Sequence, residues 1–220
     1  MRRWAVSAVA GFVAMLACFG AAVQASPPVA VGIVSWPTDA EGARPGPDPV
    51  EECLARSMHD AAPEITITRQ RAVRDALYPW LERSTEPASE AGFSELLARE
   101  EVRARLSTMG LRALVAFTAQ EHKGEDQGFV TCGGGFGYGG CLGYSRRFES
   151  TALGASLWRT DGAPVPVRHE STLAEGNTVI AGLLLPVFSR ARTLETACRD
   201  LAARLAQAIR ETSTPQPDAQ

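Results

Sequence analysis

Three histidines, five cysteines and one glycine-rich run are the residues of this chain whose types and spacing could carry chemistry. The run Gly135-Phe136-Gly137-Tyr138-Gly139-Gly140 satisfies G-x-G-x-x-G in form. A dinucleotide loop, however, lies between a first strand and a helix whose amino terminus meets the pyrophosphate. Here the run sits late in the chain between Cys132 and Cys141, and a strand-like stretch follows it. There is also no Gly-Lys-Ser/Thr for a phosphate loop. No cofactor is assigned on this basis.

Glu121, His122, Glu125 and Asp126 could gather round a metal, but their spacing matches no closed zinc site. They read as a solvated strand end, and no metal site is assigned. His169-Glu170-Ser171 sets an acid and a hydroxyl beside a histidine. Neighbours in a strand alternate faces, so these three cannot form a triad among themselves. His59 could serve as a base near a cysteine, yet it falls beside a helix end. Ser156, in Gly154-Ala155-Ser156-Leu157-Trp158, lacks the last glycine of a nucleophile elbow. No catalytic residue is assigned. Because a triad is a spatial constellation, a small periplasmic hydrolase stands as the alternative of a different class.

The cysteines take their meaning from the start of the chain. Arg2 and Arg3 are followed by the uncharged residues 4–23 and by Gln24-Ala25-Ser26. A basic start, an apolar centre and a small closing residue make a bacterial-type export signal. Cleavage after Ala25 would release a soluble product. Alternatively, Met15-Leu16-Ala17-Cys18 is an imperfect lipoprotein box in which Cys18 is acylated, and stable anchoring then needs two lipid signals. Left uncleaved, residues 4–23 are just long enough to span a bilayer, with Arg2 and Arg3 inside. The expected location is periplasmic or secreted, or that of an outer-membrane lipoprotein facing the periplasm.

In such a compartment the four remaining cysteines read as two disulfides. Cys132 and Cys141 flank a flexible glycine segment and pair locally, making it a clipped Ω-type loop. Cys53 and Cys198 each fall on the apolar stripe of a predicted helix and form the second pair. Two buried free thiols remain the other reading of Cys53 and Cys198. Phe136, Tyr138 and Tyr144, on or beside the clipped loop, are candidate partner contacts, because a constrained loop loses less freedom on binding.

Composition narrows the partners. Without residues 1–25, which hold two arginines and no acid, 20 basic residues face 25 acidic ones, a net charge of −5. That balance gives no basic face for nucleic acid. Membrane contact is expected only through a lipid anchor or an uncleaved signal. The expected partner is a protein of the cell envelope.

The elements that must hold these residues follow from pattern. Residues 29–36 read as a strand. Asp48, Pro49 and Glu51 then form an N-cap, first-turn proline and capping-box acid for a helix to about Asp60. Residues 65–68 are strand-like, 69–78 helical until Pro79, and Phe93 to Met109 helical with a break at Glu100-Glu101. Gly110 is a natural residue to end that helix in a left-handed conformation, and residues 111–119 form a strong apolar strand. In the second half, residues 148–159 and 165–173 make a hairpin about Asp161-Gly162. Residues 178–188, the most apolar stretch beyond the signal, read as a central core strand; as a projecting hairpin they would mark a membrane or protein contact instead. Thr193 caps a long carboxy-terminal helix.

The alternation favours an α/β fold, with α+β as the alternative: a mixed sheet with helices packed mainly on one face and a long final helix. Residues 1–25 are read as the export signal, 26–211 as one domain and 212–220 as a disordered tail. Residues 29–36, Phe93-Ser94-Glu95-Leu96-Leu97 and residues 102–117, where a helix ends at Gly110 and a strand follows, resemble the amino-terminal domain of TolB and CsgG-like envelope lipoproteins. The whole chain after the signal, with its Cys-flanked glycine segment and terminal helix, resembles uncharacterised proteobacterial exported proteins. These resemblances imply an exported envelope domain and supply no catalytic residue. The function expected is that of a noncatalytic envelope protein acting through protein contacts. A lipid-binding transport accessory protein is a further alternative, and would need an apolar pocket between sheet and helices.

Overall fold

A computed structural model describes residues 28–35, 48–82, 84–135, 138–163 and 165–213. The expected export segment with Cys18, the expected tail from residue 214, and Phe136 lie outside the described residues.

The β-branched strand β1 (Val29–Ser35) runs between two parallel neighbours, β2 (Ile65–Thr68) and the first part of β3 (Ala113–Gly135). Helix α1 (Pro49–Ala61) connects β1 to β2. The return from β2 past β1 to β3 carries α2 (Gln70–Ala76), α3 (Glu90–Ala98) and α4 (Glu100–Thr108). These two crossovers travel in opposite directions across the sheet, so the common right-handed sense sends their helices to opposite faces. Strands β4 (Tyr138–Arg159) and β5 (Pro166–Ser189) extend the sheet antiparallel, in the order β2-β1-β3-β4-β5. The final helix α5 (Thr193–Ser213) returns to the face of α1.

The fold is therefore mixed α/β with a long carboxy-terminal helix. The two longest helices share the first face, as the sequence implies, while three short helices cover part of the second. That division depends on strand order, which hydrophobic pattern alone does not supply. On the first face Val31, Ile33, Val115, Phe117, Leu153 and Leu157 meet Leu54 and Met58 of α1 and Leu201, Leu205 and Ile209 of α5. On the second, Val34, Leu114 and Ala116 pack with Val73, Phe93, Leu97, Val102 and Leu106 around Trp158. The indole is fully buried, its ring 4.8 Å from that of Phe93 and its Nε1 donating to Ser94 Oγ at 3.2 Å. At Gly32 a Cβ would come within 2.8 Å of Leu114 Cδ1, so its absence admits the close approach of that layer.

Local signals explain the helix ends. Asp48 Oδ1 accepts from Val50 N at 2.9 Å, with Pro49 in the first turn. Glu51 does not close a capping box; its Oε1 accepts from Gln70 N, 3.0 Å away, and ties α1 to the start of α2. After α4, Gly110 at φ 71° donates to Ser107 O and Leu111 N donates to Leu106 O, the paired bonds of a Schellman ending. The final helix runs on to Ser213, two residues into the stretch read as tail, with Thr212 Oγ1 donating to Ile209 O.

The antiparallel part differs most from its sequence reading. Residues 121–126 are not a strand end, because β3 continues through them to Gly135. The glycine segment is not an Ω-type loop: Gly133, Gly134 and Gly135 pair with Gly140, Gly139 and Tyr138 in a hairpin. Residues 166–173 and 178–184 run along β4 as one length of β5, and residues 178–188 are not a central core strand. They lie at the outer end of the sheet, where Val187 and Phe188 are exposed. Cross-strand pairing here overrides the weak strand preference of glycine.

Past Phe117 β1 no longer pairs with β3, and past Glu121, level with Thr151 and the start of α5, the strands β3, β4 and β5 project beyond the helices as a ribbon. One extra residue of β3 is accommodated between Lys123 and Asp126, where Gly124 and Glu125 stand opposite Phe148 alone. The strand β5 pairs with β4 as far as Leu184, opposite Cys141, yet Ala191 N donates to Thr178 Oγ1. The chain therefore doubles back between them towards α5.

Candidate functional site

Both predicted crosslinks are present. Cys53 of α1 joins Cys198 of α5, with Cα atoms 6.0 Å apart, and Cys132 joins Cys141 directly across the ribbon at 4.0 Å. The first links two helices that already share a core; the second ties the hairpin near its tip.

A cleft of about 310 Å³ opens on the second face where the short helices stop. Its floor is sheet: Thr118, Gly154, Ser156, His169 and Ser171, held by the register that sets Ser156 opposite His169. Its wall is the start of α3. Ser89 Oγ accepts from Gly92 N at 3.1 Å, which begins the helix at Glu90, an acid favoured in a first turn by the helix dipole. Ser156 Oγ lies 3.0 Å from His169 Nδ1, and Glu90 Oε1 lies 3.3 Å from that same nitrogen.

This shared nitrogen decides what the cluster can do. A serine–histidine–acid relay needs the hydroxyl on one ring nitrogen and the carboxylate on the other, so that the acid fixes the tautomer that accepts the serine proton. Here, if Nδ1 carries a proton it donates to Glu90 or Ser156; if it is bare it accepts from Ser156 and faces Glu90 with a lone pair. Neither state is a relay. The amides near Ser156 also belong to a strand paired on both sides, so they are committed to the ladder and cannot serve an oxyanion. The cleft can hold a polar group by hydrogen bonds but is not built for acyl transfer.

The sequence did not bring these three residues together. A hairpin centred on Asp161-Gly162 would set Ser156 opposite Val167, on the correct face but two residues from His169. Glu90 carried no signal, since it reaches the cleft only through the placement of α3.

The remaining candidates disperse. Glu121, His122 and Lys123 line a second cleft of about 470 Å³ with Glu149, Arg190 and Arg192, a mixture of charges that compensate one another. Beside it, the buried Thr151 and Thr193 hydroxyls bond at 2.8 Å, and Thr178 Oγ1 donates to Glu149 Oε1, fastening the entry to α5. Asp126 pairs instead with Arg147, whose Nε donates at 2.9 Å; that carboxylate raises the guanidinium pKa above its usual value. Among the described residues no three His, Cys, Asp or Glu side chains gather as metal ligands would. His59 is exposed near the end of α1.

Of the expected partner contacts, Tyr138 is placed by its backbone in the hairpin, and Tyr144 is half-exposed directly opposite Phe129. Gly128 and Gly143 flank that pair at φ 99° and 129°. A Cβ on either would come 2.2 Å from a carbonyl oxygen of Tyr144 or Phe129, so the two backbones can approach only at glycine.

No protein-family model matches the chain, and no curated protein matches it. Among solved structures, it is similar to a lipoprotein from Neisseria meningitidis at 10% identity and TM-score 0.35, over 84% of this chain and 97% of that one. A neuraminyllactose-binding hemagglutinin homolog from Helicobacter pylori gives 8% identity and TM-score 0.34, over 86% and 87%. PelC from Paraburkholderia phytofirmans, solved as a dodecamer, gives 10% identity and TM-score 0.31, over 81% and 84%. At scores this low none of the three assigns a property to this chain.

Proposed function

We propose that this is a noncatalytic protein of the cell envelope, exported by its amino-terminal segment, that works by contact with an envelope protein. Two disulfides support a life in an oxidising compartment. The observation that carries the reading is the bare second face of the sheet just beyond α3. There Leu173, 63% exposed, and Phe148 stand on the same face as Ser150, Glu175 and Asn177. Large apolar side chains inside a polar and charged surround are what a protein interface presents: an apolar centre with a hydrogen-bonding rim.

Site-specific photocrosslinking from Asn177 in intact envelopes tests this. The full chain should give one discrete protein adduct, and Leu173→Asp with Phe148→Asp should lower its yield at least tenfold while the unfolding midpoint stays unchanged. An adduct indifferent to both substitutions would overturn the assigned surface. Labelling of Ser156 by a fluorophosphonate, lost in His169→Ala, would overturn the noncatalytic reading.

A further inference from the structure

The outer end of the ribbon changes composition along a single line. No Asp, Glu, Lys, Arg or His occurs between Asp126 and Arg146, or between Glu175 and Arg190. Strand pairing brings the limits of β3 and β4 level, with Arg147 opposite Asp126 and Arg146 opposite Gln127, while the last charge of β5, Glu175, lies three residues further in, opposite Ser150. Just inside the line charges crowd, with Glu121, Lys123, Glu125, Asp126, Arg147 and Glu149 in the same strands. Beyond it, at roughly 3.4 Å per residue, β3 carries none for about 30 Å and β5 none for about 20 Å before it doubles back.

That uncharged zone is also apolar and open. Phe129 is 74% exposed, Leu142 66% and Tyr144 52%. Phe129 and Tyr144 are direct partners, and Leu142, two residues along, falls on the same face. An interface made for protein ordinarily keeps charged and hydrogen-bonding groups at its rim. A surface that carries no charge on any of three strands beyond one level, with a charged belt beneath, fits a low-dielectric medium that begins at that level.

We propose that the outer ribbon contacts the lipid bilayer, with the Phe129, Tyr144 and Leu142 face toward the acyl chains and the Arg146–Arg147 row in water. Past Phe117 the outer edge of β3 pairs with no described strand, so its N–H and C=O groups need water. An open edge cannot cross the hydrocarbon, and a single copy therefore lies in the interface. This goes beyond the proposed protein contact and rests on other residues, further out on the same face past Arg146, so either can fail alone. It adds a membrane contact to the anchor or signal expected from the amino terminus.

The test uses the full chain with phosphatidylcholine vesicles containing a lipid with a diazirine in its acyl chain, and maps the label by peptide mass. Label should appear within residues 127–145, be insensitive to salt, and fall at least about tenfold in Phe129→Asp with Leu142→Asp. Label on residues 1–27 should not change in that variant. An intact Cys132–Cys141 linkage in nonreducing peptide maps verifies that the ribbon still forms. Leu173→Asp should leave the pattern unaltered, which separates this surface from the protein contact. Label confined to residues 1–27 would overturn the proposal, as would label in the ribbon that ignores the double substitution. Self-association lost in the double variant, without lipid label in the wild type, would assign the surface to a second copy instead.

Discussion

Between Ala113 and Phe117, β3 is buried on both faces under two layers of helix, whereas from Phe129 outward the same strand is largely exposed and has no helix over it. The inner part has the continuous apolar run of a strand covered twice. The outer part has glycine, scattered aromatics and a covalent clip. Burial can hold the first; backbone pairing and Cys132–Cys141 must hold the second. A sheet can thus be one continuous ladder and yet owe its order to different forces at its two ends.

The crosslinks offer the largest test of that contrast. Cys53 and Cys198 are 145 residues apart, and on the chain-entropy account their link restricts the unfolded chain by about 5 kcal/mol. Cys132 and Cys141 are 9 apart, and the same account gives about 3 kcal/mol. In urea unfolding, Cys53→Ser with Cys198→Ser should therefore cost more than Cys132→Ser with Cys141→Ser. Amide exchange should show the second pair of substitutions loosening residues 128–145 while the helices keep their protection. Equal losses and uniform loosening would erase the distinction between the two regions.

Side-chain truncation sharpens it at the next level. Trp158→Ala empties the centre of the second core and should cost about 3–5 kcal/mol. Phe129→Ala, an aromatic truncation at an exposed site, should change stability by less than about 0.5 kcal/mol. Comparable losses in denaturant melts would mean that the ribbon buries Phe129 in solution.

How much of this was legible follows the same boundary. Asp48-Pro49, the stripes through Cys53 and Cys198, and Gly110 before an apolar run each specify their structure by local chemistry, and the elements they imply are present. The outer ribbon was misread because glycine and scattered charges give no strand period; only cross-strand pairing makes residues 121–135 extended. The cleft escaped for a related reason. Ser156 meets His169 through register and Glu90 through the seat of a helix, and both are long-range facts.

The smallest effect lies at the inner end of the sheet. The Arg159 guanidinium donates to Asp161 and holds its carboxyl below the usual carboxylate range, with a lesser pull from Arg112. A depressed folded-state pKa contributes stability that is complete above the unfolded value and is lost as pH falls through the folded one. Arg159→Ala should raise the Asp161 pKa towards its ordinary value, as followed by carboxyl NMR titration. Because Asp161 is half-exposed, its effect on acid stability should be slight. An unmoved titration would show that the pair is not formed in solution.

The extra residue between Lys123 and Asp126 has a consequence that concerns counting. It shifts the phase of β3 by one, so that side chains alternate on one beat before it and on the opposite beat after it. Deleting Gly124 or Glu125 would restore a single beat from root to tip. The remaining residue would face Phe148 alone and every other pair would be kept, Phe129 with Tyr144 and Cys132 with Cys141. Kept but drawn into a regular ladder, the extra residue would slip the outer pairs by one and set Phe129 opposite Gly143 and Cys132 opposite Gly140, so it is the bulge that lets the two sulfurs meet.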